Sequence, residues 1–265
     1  MKKFVLLLKI VIVFVLLCLS GACKKPESKP EKKKPIPTMV IDIDGNTYNV
    51  KRYGNRVWMT ENLRVTRYDT NSLRVEDTIF VADGSYVITI EKPYLKDARN
   101  FNDSPDTDNL TDEIRNSMGF LYNWSAAAGT TAINTTVADK VQGICPNGWR
   151  LPTTNDFDTL CIVLGGQGKA GKSLKSVEGW FTNSGTNESG FNCYPAGMAT
   201  GNWVVSMVGR QTMFWSSKSA TGNITKATVM GLYFNHDDAG LFNVNKYQAN
   251  SVRCVLDLDD SYIGF

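Results

Sequence analysis

The feature that most limits what this chain can fold into is its opening. Lys2 and Lys3 precede a run from Phe4 to Leu19 that is apolar except for Lys9, and the run stops at Ser20-Gly21-Ala22-Cys23. A charged start, an apolar middle and small residues ahead of a cut describe a secretion signal. The unbroken apolar part, Ile10 to Leu19, falls well short of the ~20 residues that cross a bilayer's hydrocarbon core. Residues 1–22 are therefore expected to be removed rather than to become a membrane-spanning helix, and the fold must be built from the residues beyond Ala22.

Small residues let a peptidase take the chain in extended form directly before Cys23, and the stretch resembles a bacterial lipobox. It departs from that pattern at Ser20, where an aliphatic residue is usual. Cys23 is the expected lipid-bearing residue; each buried methylene contributes ~0.8 kcal/mol, so several acyl chains hold firmly where one holds marginally. Residues 23–37 then read as a tether. KKPESKPEKKKPIP has no aliphatic or aromatic residue except Ile36, so it cannot bury enough surface to offset its ordering entropy. Its prolines stiffen it, and its surplus of lysine suits a spacer kept soluble by charge or held near anionic headgroups. The expected location is the cell envelope, at the outer membrane, with the membrane as a partner through the lipid.

The apparent basicity belongs to these outer segments. Of 29 basic and 26 acidic residues, three lysines lie in the leader and six lysines with two glutamates in the tether, leaving 20 basic against 24 acidic beyond. No basic stripe with interleaved aromatics remains, so nucleic acid is not an expected partner. Residues 38–265 suit one large domain carrying a polar insertion at about 66–117. Besides Cys18 in the leader and Cys23, the cysteines are Cys145, Cys161, Cys193 and Cys254. An even number in an exported domain favours two disulfides, with three connectivities open. The lone histidine, His236, and the absence of C-x-x-C spacing argue against zinc and against histidine-based nucleophilic catalysis, and no cofactor is expected.

From Thr38 to Val65 apolar and polar residues nearly alternate around Asp44-Gly45 and again around Tyr53-Gly54-Asn55, which predicts a three-stranded meander with a two-residue first turn. A short strand pair is expected over Asp77 to Ile90, around Asp83-Gly84. The acidic stretch NFNDSPDTDNLTDE offers Asp103, Asp106 and Asp108, with Asp112 and Glu113, as hard oxygen ligands for calcium. It lacks EF-hand order, and a solvated loop is the plainer reading. FLYNWSAAAG, after Gly119, reads as a short buried helix. Thr153 followed by Asp156 forms a capping box for a helix that presents Phe157, Leu160, Cys161 and Leu164 on one face and ends at Gly165-Gly166. A second short helix spans about Lys169 to Ser176. FNCYPAG, NWVVSMVGRQTMFWSS, ATVMGLYF, LFNVNKY and NSVRCVLDL read as strands, with a hairpin turn at residues 236–240. The run from Gly165 to Lys169 lacks the spacing of a phosphate loop.

Six blocks carry a resemblance: Trp58 to Leu63, Gly119 to Ala128, Cys145 to Pro152, Gly190 to Gly197, Phe214 to Ser217 and Ser251 to Val255. In this order they resemble the Fibrobacter succinogenes major paralogous domain. The resemblance implies an α+β, C-type-lectin-like domain, related also to formylglycine-generating-enzyme-like domains, with two short helices beside irregular antiparallel sheets. It also implies that Cys145 pairs with Cys254, and parity then pairs Cys161 with Cys193.

The same resemblance bears on chemistry. Formylglycine-generating enzymes use a late pair of cysteines, and here only Cys254 lies late, in the block assigned to a structural disulfide. The calcium-binding Glu-Pro-Asn or Gln-Pro-Asp triplet of sugar-binding lectins is missing. Most of the six tryptophans sit beside apolar neighbours and read as core; Trp203, after Gly201-Asn202, is the candidate for an exposed ligand-stacking ring. His236-Asp237-Asp238 reads as a solvated turn. The expected function is a non-enzymatic binding or adhesion module for glycans or envelope proteins. An extracytoplasmic enzyme or an assembly subunit are the alternatives.

Overall fold

A computed structural model of the chain describes residues 33–69, 79–81, 92–99, 101, 107, 110–130, 140–182, 184–200 and 204–264. The fold is α+β: curled antiparallel sheets with a few short helices. β1 (Met39–Ile41), β2 (Thr47–Tyr53) and β3 (Arg56–Met59) form the expected meander. Its second turn is the two-residue kind, with Tyr53 paired to Arg56 and Gly54 at φ +59°. The first turn differs from expectation. Asp42 draws it into a five-residue loop, because its carboxylate accepts from the amides of Asp44 and Asn46 and from the Tyr48 hydroxyl at 2.6 Å. A side chain that satisfies two loop amides outweighs the tighter turn.

A six-stranded sheet takes the order β4 (Phe80–Val81), β5 (Tyr94–Asp97), β6 (Phe120–Asn123), β12 (Ala249–Asn250), β7 (Met198–Ala199), β8 (Val205–Ser206). Thus FLYNWSAAAG is half strand and half helix rather than one helix. Asn123 makes the switch: its Oδ1 caps Ala126 at the start of α2 (Trp124–Ala128) and also accepts from Tyr94 of β5 at 2.9 Å. The described part of the 66–117 segment is not wholly a polar excursion, since Tyr94, Ala98, Leu110 and Ile114 of α1 (Asp112–Ser117) pack into one apolar cluster with Ala196, Ala199 and Ala249. The strand pair expected over residues 77–90 lies outside the described residues except for the stretch holding β4, which runs parallel to β5.

Both bonds of the capping box are present at α3 (Thr154–Val163), and Phe157, Leu160 and Cys161 are buried as the spacing requires. α4 (Gln167–Leu174) follows the glycine break. β9 (Gln211–Ser219), β10 (Lys226–Tyr233) and β11 (Gly240–Asn245) make the third sheet. FNCYPAG makes no strand and contributes only isolated bridges, from Cys193 to Lys175 and from Gly197 to Thr212. Pro195 has no amide to donate, and Asn192 sits at φ +56°, so the ladder cannot run through it.

β13 (Val255–Asp257) closes the meander against β3, and the residue before it, Cys254, is disulfide-bonded to Cys145 across 109 residues. The second crosslink expected from parity is absent. Cys161 and Cys193 are free thiols, both buried in the cluster that holds Trp58, Phe157, Trp180 and Phe214, where they act as small apolar side chains. Burial pushes Cys161 up to about 11 and Cys193 up to about 12, so neither forms thiolate near neutral pH.

Beside that cluster lies a buried cation with no sequence signal. Arg253 stacks between Phe191 and Phe214, 4.5 and 5.1 Å from the ring centres. Its Nε donates to Asn62 Oδ1 at 2.9 Å, and its terminal nitrogens donate to the carbonyls of Phe191 and Asn192. Four of the six resemblance blocks meet at this one side chain.

Candidate functional site

Two surfaces collect chemistry. The first begins at Asp156, which closes the capping box and is then surrounded by donors. Arg150 grips it through two nitrogens at 2.7 and 3.2 Å and grips Asp257 through two more bonds at 2.7 and 2.9 Å. Arg56 Nε donates to Asp156 at 2.8 Å, and Lys140 reaches Asp257 at 3.0 Å. β13 supplies Asp257 and β3 supplies Arg56, so the network depends on the closing strand. It borders a cleft of about 350 Å3 lined by Arg56, Lys140, Thr153, Thr154, Ser217 and Lys218, among others.

Two carboxylates and three cations converge here, and hydrogen bonding sets the protonation states of the acids. Burial alone would raise Asp156, but the hydrogen bonds from Arg150 and Thr153 outweigh it and hold the carboxyl at about 2. Hydrogen bonds from Arg150 lead the causes that hold Asp257 well below the carboxylate range. Both are locked ionised and fully bonded, so neither exchanges a proton near neutrality. A depressed folded-state pKa contributes stability that is present above the unfolded value of about 4 and is lost as pH falls toward 2. Relative to Asp156→Asn, the wild type is therefore expected to lose roughly 2 kcal/mol of unfolding free energy between pH 5 and pH 2.5 in denaturant titrations. Parallel pH curves for the two proteins would refute the assignment.

The second surface lies on the β10–β11 hairpin. Gly231 and Gly240 face each other across the strands, and the ring of Phe242 lies over both: a β-carbon on Gly240 would come within 2.6 Å of it, and one on Gly231 within 3.1 Å. Only glycine leaves that floor open. Tyr233 meets Phe242 edge-on at 5.8 Å, and His236 meets Tyr233 edge-on at 6.4 Å. Phe242 remains 41% exposed, and the adjoining hairpin loop exposes Asn235, His236 and Asp238 to differing degrees. The loop is held in place. Buried Lys175 donates to the carbonyl of His236 at 2.9 Å, and backbone bonds tie Asp237 and Ala239 to Lys172 and Gln167 on α4. A flat ring on a backbone floor with a polar rim presents one apolar face, suited to the C–H face of a sugar ring.

The residues singled out from the sequence fall elsewhere. Cys23, Trp203, Asp103, Asp106 and Asp108 lie outside the described residues; Asp112 and Glu113 occupy the first turn of α1, and no cluster of metal-ligating side chains occurs among the described residues. Trp58, Trp124, Trp149, Trp180 and Trp215 are all buried, as expected of core. His236 stands in a turn, as expected, but its ring joins the aromatic ledge. Sequence reading passes over Phe242. The available signal is an exposed phenylalanine two residues after a hairpin glycine, with a second glycine at the facing register.

The family model described as Fibrobacter succinogenes major domain matches residues 51–256. No curated protein and no solved structure matches the chain significantly.

Proposed function

Since the chain belongs to the Fibrobacter succinogenes major domain family, we propose that it works as a non-enzymatic binding or adhesion module of the cell envelope, with a glycan as its ligand. The C-type-lectin-like arrangement implied by the resemblance is part of this proposal, as is a lipid anchor at Cys23. The observation that carries it is the ledge: Phe242 lies on the Gly231–Gly240 pair with Tyr233 at its edge, and it is partly exposed.

A glycan array probed with the full chain tests the ligand. Binding to at least one glycan class is expected, and Phe242→Ala, at a partly exposed position, is expected to reduce it by ~10-fold or more, as loss of a stacked aromatic anchor does. Undiminished binding by that variant would remove the ledge as the binding site, and silence across the array would turn the assignment toward an envelope-protein ligand. The anchor has its own test. Cys23→Ser is expected to move the protein from the membrane to the soluble fraction and to abolish palmitate labelling. Persistence in the membrane fraction would remove the anchor from the proposal.

A further inference from the structure

The sheet of β9, β10 and β11 has one edge that the fold leaves open. β11 stands last in the order β11-β10-β9 and pairs only with β10 among the described residues. Its sequence, GLFNVN, holds no charge and no proline, and Phe242 and Asn243 are exposed. Sheet edges are ordinarily blunted by charge, proline or a covering element, so a bare neutral edge is a template for another strand. The ladder fixes which groups face outward. Thr225 and Lys246 extend the pairing of Lys226 with Asn245, and the Lys246 amide donates to the Thr225 carbonyl at 2.9 Å. Hydrogen-bonded pairs alternate along an antiparallel ladder, so Val244, Phe242 and Gly240 bond inward to β10, while Leu241 and Asn243 direct their N–H and C=O groups away from the sheet. The open stretch ends on both sides, because the Ala239 amide donates to the carbonyl of Gln167 and the Asn245 carbonyl accepts from the amide of Gln248.

We propose that this edge joins a second copy of the chain, antiparallel and about a twofold axis at Phe242. In that register Leu241 of each copy exchanges two backbone hydrogen bonds with Asn243 of the other, so the outward groups of both residues are satisfied on both strands. Phe242 then stands opposite Phe242 of the second copy as a non-hydrogen-bonded pair, ~4.5 Å apart at Cα and on the same face, where aromatic rings make favourable contact. Charge selects this partner and its direction. Asp238 precedes β11 and Lys226 lies beside Asn245 at its far end, so an antiparallel copy brings each acid toward the other copy's base, whereas a parallel copy sets acid against acid. The contact is confined to a single strand edge, smaller than the ~1,200 Å2 of a standard interface, so association is reversible and concentration-dependent. The two sheets become one continuous sheet with both Phe242 rings on one face. The edge carries the dimer by itself; only the reading of the paired rings as a site for two adjacent sugars rests on the proposed glycan function.

Sedimentation velocity of the full chain across a concentration series tests the pairing, together with hydrogen exchange at the amides of Leu241 and Asn243. Monomer giving way to dimer is expected, with both amides slowed as the dimer fills. Asn243→Lys places two ammonium-bearing side chains on residues ~7–8 Å apart across the edge and is expected to weaken the dimer by about tenfold or more, most strongly at low salt. Asn243→Pro removes one outward N–H from each copy while sparing the bonds to β10, and the same direction of change is expected. No glycan enters these measurements, so a silent array and a missing dimer remain distinct results. A monomer at every concentration overturns the proposal and leaves the edge to a strand of another envelope protein. Free exchange of both amides in the dimer, or a dimer undiminished in both Asn243 variants, overturns it by placing the contact elsewhere.

Discussion

Replacing both Cys145 and Cys254 with alanine is expected to lower the unfolding free energy by about 4 to 5 kcal/mol, the loop-entropy value for a crosslink spanning roughly 100 residues. Their separation is 109 residues, and the bond joins the loop before α3 to the residue that leads into the strand closing the meander. Against a total stability of ~5–15 kcal/mol, that loss brings the domain close to unfolding at 37 °C. Differential scanning calorimetry should show a fall of roughly 10–15 °C in Tm, since each kcal/mol shifts a domain of this size by about 2–4 °C. A shift of less than about 3 °C would mean that the closing strand holds without its covalent tie. Non-reducing peptide mapping should recover Cys145 linked to Cys254, with Cys161 and Cys193 alkylated only after denaturation. A peptide joining Cys161 to Cys193 would contradict the free thiols seen in the core.

Arg253→Met should be at least as damaging. The side chain is buried and packed between two rings, and its removal strands the Asn62 side-chain oxygen and the carbonyls of Phe191 and Asn192 without donors. Leaving buried polar groups unsatisfied costs ~1–3 kcal/mol each, and breaking a buried charged cluster typically costs ~3–5 kcal/mol. Burial disfavours the charged form of Arg253, yet guanidinium stays protonated, so the loss is not offset by neutralisation. Lysine should fail to rescue it, because one ammonium cannot reproduce a planar fork spread over three acceptors and stacked on two rings. Guanidinium titration of Arg253→Met within about 1 kcal/mol of the wild type would show that the cluster contributes packing alone.

Much of the polar part of the resemblance blocks is occupied by structure rather than by ligand. Asn62, Phe191, Phe214 and Arg253 serve one buried cluster, and Arg150 with Cys145 serves the closing strand. The blocks therefore point to the fold and are silent about the ledge, which draws on Tyr233, His236 and Phe242 outside them.

Legibility followed the range of each interaction. The capping box at Thr153 and Asp156, the turn at Gly54, the apolar face of α3 and the core placement of five tryptophans were readable because each depends on neighbours within a few positions or on hydropathy alone. The Asp42 loop and the strand-to-helix switch at Asn123 escaped, since one carboxylate or amide can serve several local bonds and only the folded backbone selects among them. Parity could not say whether Cys161 and Cys193 bond, because a crosslink requires geometry as well as an even count. Pairings such as Arg253 with Asn62, 191 residues apart, or Arg150 with Asp257, 107 apart, exist only once three sheets have closed on one another. Residue type sets what a side chain can do, and tertiary packing alone decides which distant partner it meets.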